Sequence, residues 1–273
     1  MRIDERRVRY TAGMQLAPPA SVALPRPAQN RLQSLLAKNW RHVAELLLVI
    51  PAYAGYQLVR SAVGGEAGTA FDNARHVIRI EQRLGIFHEA FLQQLILPKE
   101  WMVDFFNYLY IWGHLPVIIA VALWLYISHR DRYALFRNAF LISGLIALIG
   151  FSTLPLAPPR YMPEFGFVDT IISAQSYYAL QNPKIVNQYA AMPSLHFGWD
   201  LLVAVAIGYN TRARLWRIFA MFMPFLTLGG IVLTANHYFL DAAAGALVAV
   251  LGLGIALLLR RSISRERLFS FLT

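Results

Sequence analysis

A histidine and an aspartate four residues apart, His237 and Asp241, form the spacing in this sequence with the most specific chemistry. On a helix, residues i and i+4 share one face, so the carboxylate can accept a hydrogen bond from one ring nitrogen. That bond fixes the tautomer and leaves the other nitrogen free as a nucleophile toward phosphorus. Asn236, directly before the pair, is a candidate helix N-cap. A polar pair that only holds two helices together is the alternative.

A second histidine, His196, follows a proline–serine turn. The turn at Pro193 predicts the start of a helix that Ser194 caps. Helix N-termini present unpaired N–H groups and partial positive charge, which suit a phosphate. In the first turn of such a helix, His196 could protonate a departing alkoxide and later take a proton from an acceptor. Asp200, four residues further on, could orient this ring or bind a hydroxylated headgroup.

A phosphate also needs cationic or polar partners, and Arg160 is the leading candidate because it follows two prolines that restrict its backbone. Its guanidinium fork matches two phosphate oxygens, although an ordinary interfacial arginine is the alternative. Further candidates for the phosphate or headgroup are Tyr161, Lys184, Tyr189 and Asn236, with Asn107 and His114 as residues for which packing between helices is favoured.

The composition places these residues in a membrane protein. Of the 273 residues, 57% are hydrophobic and 15% are charged, and the mean hydropathy is +0.45, whereas soluble domains carry roughly 25% charged residues. A membrane crossing needs about 20 apolar residues, and the apolar runs reach this length except for the fourth, which is short. The sequence therefore predicts an all-α integral membrane protein, a six-transmembrane-helix bundle. The predicted spans are residues 42–63, 101–127, 136–156, 194–209, 215–235 and 237–259.

The spans define one membrane domain, residues 42–261. It is flanked by a basic cytoplasmic tail, 1–41, that we expect to be disordered, and by a C-terminal cytoplasmic tail, 262–273. Within the domain, residues 71–97 are amphipathic, and Gly85 is expected to interrupt them. This pattern predicts interfacial helices on the membrane surface, with solvated loop helices as the alternative. Their polar stripe consists of Arg75, Arg79 and Arg83.

The loop charges predict the orientation. With both termini in the cytoplasm, 18 Lys and Arg residues fall inside and 7 fall outside, which is the bias that membrane proteins show. Residues 158–161, 192–196 and 236–241 then share the extracytoplasmic face, periplasmic or lumenal. Three distant segments with the right chemistry are thus expected to meet there.

Other classes of site are limited by the composition. The absence of cysteine excludes disulfides, thiolate nucleophiles and thiolate metal sites. The net charge of +10 is carried by short segments between apolar runs, so topology and anionic lipid explain it better than nucleic acid does. We expect no cofactor. Two histidines and two aspartates leave a divalent-metal enzyme open as an alternative.

These motifs resemble those of the type 2 phosphatidic acid phosphatase superfamily, and within it the inositol-phosphorylceramide-synthase-like branch. AMPSLH at residues 191–196 is similar to the second motif of that branch, and HYFLDAAAG at 237–245 is similar to the third. Residues 155–161 resemble the turn before the active-site loop. Asn107 and His114 resemble a pattern in the second span.

The resemblance implies six helices and metal-independent phosphoryl transfer through a phosphohistidine. It also implies a role for each matching residue. His237 would be the nucleophile, Asp241 its orienting carboxylate and His196 the acid and base.

The chain departs from the broad superfamily in three places. It has no Lys-(six residues)-Arg-Pro first motif, Ile231 stands where the third motif often has arginine, and Leu195 replaces a glycine. These departures point to the synthase-like branch. Neutralisation of the phosphate charge is then expected from Arg160, together with Lys184.

The function predicted is that of a lipid phosphotransferase, which moves a phosphoryl or phospho-headgroup unit, such as inositol phosphate, from a phospholipid to a lipid alcohol. A phosphatase acting on phosphatidate or polyprenyl phosphate is the alternative, because water could replace the alcohol at the same residues. A non-catalytic transporter or scaffold is a further alternative. Repeats, broken helices and a central charged path would indicate it, and the sequence has no convincing set of these features.

Overall fold

The computed structural model of the protein describes residues 29–63, 66–171 and 187–270. The chain divides into two units, of which the first ends at Val49 and contains the beginning of the first helix. The second unit starts at Ile50 and contains every other element named here. The helices are α1 (Gln29–Ala62), α2 (Ala67–Leu84), α3 (Glu89–Ile96), α4 (Glu100–Ser128), α5 (Arg130–Thr153), α6 (Leu195–Asn210), α7 (Arg214–Leu233) and α8 (Phe239–Ser270).

Five of these helices are long and apolar enough to cross a membrane, which supports an all-α integral membrane protein. They are Asn39–Ala62 within α1, then α4, α5 and α7, and finally Phe239–Ser262 within α8. The fourth predicted span corresponds to α6, which has 16 residues and falls short of the roughly 20 that a bilayer core needs. The count of six spans stays a prediction. Helix α1 begins inside the segment expected to be a disordered tail, and α8 continues beyond residue 261.

Helices α6 and α8 touch through their backbones. A Cβ atom built on Gly245 of α8 would lie 2.0 Å from the carbonyl oxygen of Ser194, and one built on Gly198 of α6 would lie 2.4 Å from that of Gly245. Any side chain at either position would force the helices apart, because real Cβ atoms do not approach this closely. The backbone N–H of Ser194 also donates to the carbonyl oxygen of Asp241 (2.9 Å). The starts of the two helices are therefore held in direct contact.

The amphipathic segment forms α2 and α3, and Gly85 separates them in a left-handed conformation (φ +69°) as expected. One face of α2 packs against protein, on the loop that follows α5 and on Tyr238. The other face carries the exposed arginine stripe. These helices therefore cover the start of α8. The buried face of α2 consists of Ala70, Ala74, Val77, Ile78 and Glu81.

Candidate active site

A π-helical turn, Leu109–Gly113, interrupts α4 between Glu100–Tyr108 and His114–Ser128. Such turns insert an extra residue into the helix and often occur at functional sites. Tyr110, inside the turn, and His114, directly after it, both line a cavity. The sequence predicted one regular span here, so the turn and its effect on His114 are new information from the structure.

The cavity has a volume of about 220 Å³ and lies among α1, α4, α6 and the segment before α8. Its walls mix aromatic rings, imidazoles and one described cation. Such a mixture suits a charged headgroup on an apolar lipid, because a few polar groups fix the orientation within a mainly apolar wall. Its polar and aromatic lining residues include Tyr53, Tyr56, Gln57, Arg60, Tyr110, His114, His196, Trp199, Asn236 and His237.

His237 lies in the turn directly before α8 and is 5% exposed. Its Nδ1 is 3.3 Å from Oδ2 of Asp241, which is fully buried. The same carboxylate oxygen accepts the backbone N–H of Tyr238 (3.0 Å). With its proton on Nδ1, the ring donates to Asp241 and leaves Nε2 free. The contact predicted from the i, i+4 spacing is present, although the helix itself begins two residues after His237.

His196 is the second residue of α6 and lies among three other rings. Its ring centroid is 4.5 Å from that of Tyr110, 4.7 Å from that of His114 and 5.9 Å from that of His237. His196 and His237 line the same cavity. Two imidazoles at this separation can act on opposite sides of one phosphorus, one as nucleophile and one as proton donor.

Asp200 contacts a different histidine from the one expected. The i, i+4 spacing suggested His196, but Oδ1 of Asp200 is 2.8 Å from Nδ1 of His114 on α4. The hydroxyl group of Thr227 on α7 donates to Oδ2. His114 also stacks on Trp199, with ring centroids 6.1 Å apart. The cavity therefore contains two histidines that are each held by an aspartate, and Asp200 is an orienting group for His114.

Arg160, the leading candidate for the phosphate, is not among the residues that line the cavity. The side chain is buried, its guanidinium donates to Oδ1 of Asn236 and to the hydroxyl oxygen of Tyr161 (3.3 Å), and Nε is 3.7 Å from Asp169. The expectation that Asn236 caps a helix was wrong. Its side chain accepts from Arg160 and donates to the hydroxyl group of Thr234 (2.7 Å), while Asn236 itself lines the cavity.

Arg60 is a cavity residue that the sequence motifs did not identify. It lies at the end of α1, lines the cavity, and its guanidinium carbon is 5.9 Å from the ring centroid of Phe151. From sequence, Arg60 entered only the count of Lys and Arg residues on each side of the membrane. Its predicted position was an available signal, because it is a basic residue at the end of the first span, on the same predicted face as both histidines.

The remaining predicted residues lie around the cavity. Ser194 occupies the N-cap position of α6 but makes no capping hydrogen bond, and its hydroxyl group is buried without a described partner. Tyr189 packs against Phe71 (ring centroids 6.3 Å apart) on the hydrophobic cluster under α2. Asn107 exchanges two hydrogen bonds with Thr170, each 3.1 Å long, in agreement with a packing role. Lys184 lies outside the described residues.

The metal alternative would require His196, His237, Asp200 and Asp241 to converge on one ion. In the described ranges, no group of three or more His, Asp or Glu side chains is placed to hold a metal ion. The two aspartates contact different histidines instead.

Comparison with known proteins bears on this arrangement. A family model described as the PAP2 superfamily matches residues 75–255. The chain is also similar to a phosphoinositol dihydroceramide synthase from Bacteroides thetaiotaomicron, with 28% identity over an alignment of 158 positions that covers 52% of this chain and 50% of the relative. The chain thus spans about half the length of this curated relative. No solved structure matches at a significant level.

Proposed function

The chain belongs to the PAP2 superfamily, and from that premise we propose that it is a membrane-embedded lipid phosphotransferase. It would move a phosphoryl or phospho-headgroup unit, such as inositol phosphate, from a phospholipid to a lipid alcohol. The observation that carries the proposal is the pair of imidazoles, His196 and His237, on one cavity with ring centroids 5.9 Å apart. The similarity to a phosphoinositol dihydroceramide synthase supports transfer to a lipid acceptor.

In the first step, Nε2 of His237 attacks the phosphorus atom and forms a P–N bond. The P–O bond to the leaving lipid breaks, and His196, protonated at the start, gives its proton to the departing oxygen. Asp241 stabilises the positive charge that the ring of His237 gains while it is bound to phosphorus. The donor lipid leaves as an alcohol, and the transferred unit stays on His237.

In the second step, the acceptor hydroxyl group attacks the same phosphorus. His196, now neutral, takes the hydroxyl proton, the P–N bond breaks, and His237 returns to its starting form. His114, held by Asp200, is close enough to His196 to contact the acceptor or the headgroup on its other side. We assign His114 and Asn236 to headgroup or acceptor binding on the basis of their place in the cavity wall.

The charge distribution supports an extracytoplasmic site with both termini in the cytoplasm, as the Lys and Arg bias predicts. The described residues from the three motif segments support this assignment, because Pro158, Pro193, His196 and His237 all line one cavity. A lipid substrate would then enter from the outer leaflet.

Product analysis tests the transfer directly. Purified full-length protein is mixed with phosphatidylinositol labelled in its headgroup phosphate, with and without ceramide as the lipid alcohol, in the presence of a chelator. We expect a new labelled lipid that requires the added lipid alcohol. Water-soluble labelled phosphate or inositol phosphate, formed equally with or without the alcohol, would instead support a phosphatase. Labelled products in neither arm would contradict both.

Arg60 is expected to bind the phosphate directly, since it is the cation among the described lining residues. The variant Arg60→Gln should lower kcat/KM about 10- to 100-fold, because a charge-assisted hydrogen bond contributes roughly 1.5–3 kcal/mol. Initial rates over a range of donor lipid concentrations check this. Arg79→Gln, on the exposed face of α2, is the matched control and should behave as wild type. Equal kcat/KM values for the two variants would remove Arg60 from the site.

A further inference from the structure

Two acidic side chains that the proposed reaction does not use lie at the start of α8. Glu81 on α2 and Glu89 on α3 are both fully buried (0% exposed), although glutamate is almost never fully buried without a partner. Oε1 of Glu89 accepts the backbone N–H of Phe239 (2.9 Å), and Oε1 of Glu81 accepts that of Leu240 (2.8 Å). The first N–H groups of a helix have no acceptor within the helix, so the two carboxyl groups satisfy them.

The second oxygen of each carboxyl group requires a donor. In the part of the chain that the structure describes, Oε2 of Glu81 and Oε2 of Glu89 are buried without a hydrogen-bond partner. The two carboxyl groups accept adjacent backbone N–H groups, those of Phe239 and Leu240, and therefore lie side by side. Two negative charges at such a separation are not both maintained in a buried site. Burial and the neighbouring Glu89 raise the pKa of Glu81 to about 9.

The surrounding groups make a second negative charge still less favourable. Asp241 of α8 is fully buried nearby, with His237 on its far side. The hydroxyl group of Tyr238 is buried, and burial raises the pKa of this phenol, so it stays neutral. The charge of Glu164, in the loop after α5, also raises the pKa of this phenol. No Lys or Arg among the described residues forms an ion pair with the two buried glutamates.

We propose that Glu81 and Glu89 share one proton and that this protonated pair positions the turn carrying His237 and Asp241. The role rests on the proposed function, because it takes His237 as the reacting group. The two backbone N–H groups that the pair accepts lie between His237 and Asp241 in the chain. Fixing that backbone therefore fixes the geometry in which the imidazole meets its carboxylate.

A shared proton has a defined effect on stability. The folded protein keeps the proton of Glu81 up to a pH of about 9, whereas an ordinary glutamate loses it near 4.5. Between these values the unfolded chain binds fewer protons than the folded protein. The free energy of unfolding should therefore fall as the pH rises through this range and become level above it.

The variant Glu81→Gln tests the shared proton, since its amide N–H replaces the proton as a donor to Glu89 and does not titrate. Full-length protein in detergent is unfolded by heat at a series of pH values between 4.5 and 9. We expect the Tm of the wild type to fall as the pH rises, and that of Glu81→Gln to lose this dependence. The infrared band of a protonated carboxyl group should also disappear in Glu81→Gln. If the Tm of Glu81→Gln falls with rising pH as that of the wild type does, or if the wild type has no such band at neutral pH, the proposal is overturned.

The exposed glutamate at the start of α4, Glu100, gives the matched control. The variant Glu100→Gln should keep the wild-type pH profile and infrared band. If the Tm of Glu100→Gln also stops falling with rising pH, the effect does not belong to the buried pair.

The positioning role has its own kinetic readout. Glu81→Ala and Glu89→Ala should lower kcat about 100-fold, the size of loss that a displacement of about 1 Å can cause, with KM within about twofold. Glu81→Gln should keep kcat within a few-fold of wild type. Equal losses of kcat in Glu81→Gln and Glu81→Ala would contradict positioning by the pair. The dependence of Tm on pH is measured without substrate and should be the same in His237→Asn. The shared proton can therefore be tested even if the proposed function is wrong.

Discussion

Replacing His237 by asparagine is expected to reduce transfer by about 10⁴-fold or more, because removal of a covalent nucleophile leaves only the effects of binding and electrostatics. The amide nitrogen of asparagine can still donate to Asp241, so the turn before α8 keeps its main contact. The same substitution should abolish a labelled phosphoenzyme that is labile in acid and stable in base. Rapid quenching after addition of labelled donor lipid measures both quantities.

His76 provides the matched control, because it is a histidine of α2 that is exposed and lies away from the cavity. His76→Asn should turn over and form phosphoenzyme as the wild type does. A phosphoenzyme of normal yield in His237→Asn would mean that another side chain forms the covalent bond. Normal turnover in His237→Asn would exclude His237 as the nucleophile.

His196→Gln is expected to reduce transfer from a natural phospholipid about 10³-fold, within the 10²- to 10⁴-fold range typical of general acid–base catalysis. An alkoxide is a poor leaving group and needs a proton, whereas a nitrophenolate does not. With a nitrophenyl phosphodiester as substrate, the rate of the first step in His196→Gln should therefore be within about tenfold of the wild-type rate. The initial release of nitrophenolate, followed by absorbance, measures that step.

His237→Asn is the comparison that makes this experiment specific. Without the nucleophile, a better leaving group brings no recovery, so His237→Asn should stay inactive on both substrates. Equal losses on both substrates in His196→Gln would show that His196 binds the phosphate or supports the fold and does not transfer the proton.

The contacts that could be predicted from sequence are local in the chain. His237 and Asp241 are four residues apart, so a single turn brings them together whatever the rest of the bundle does. The break at Gly85 was predicted for the same reason, since only glycine adopts its left-handed conformation without strain. The convergence of His196 and His237 followed from hydropathy and topology, which decide the face of the membrane on which each span begins.

The errors arose where a partner comes from a distant helix. Asn236 looked like a cap, but the first turn of α8 is satisfied by Glu81 and Glu89, more than 140 residues earlier in the chain. For Asp200 the sequence suggested its helical neighbour His196 or a headgroup as partner, yet its carboxylate contacts His114. No local pattern reveals these contacts, because the π-helical turn and the packing of α2 and α3 are products of the tertiary structure.

The glycine contact between α6 and α8 has a consequence for how such a protein can change its substrate. Since main chain meets main chain at Gly198 and Gly245, the spacing between the starts of α6 and α8, beside His196 and His237, is set by a backbone contact. The walls from α1 and α4, in contrast, include residues with large side chains, such as Tyr56, Gln57 and Tyr110. Substitutions at such positions, away from Arg60 and His114, are therefore expected to alter which lipid is accepted while the reaction itself is preserved, and a designer seeking a new acceptor should begin there.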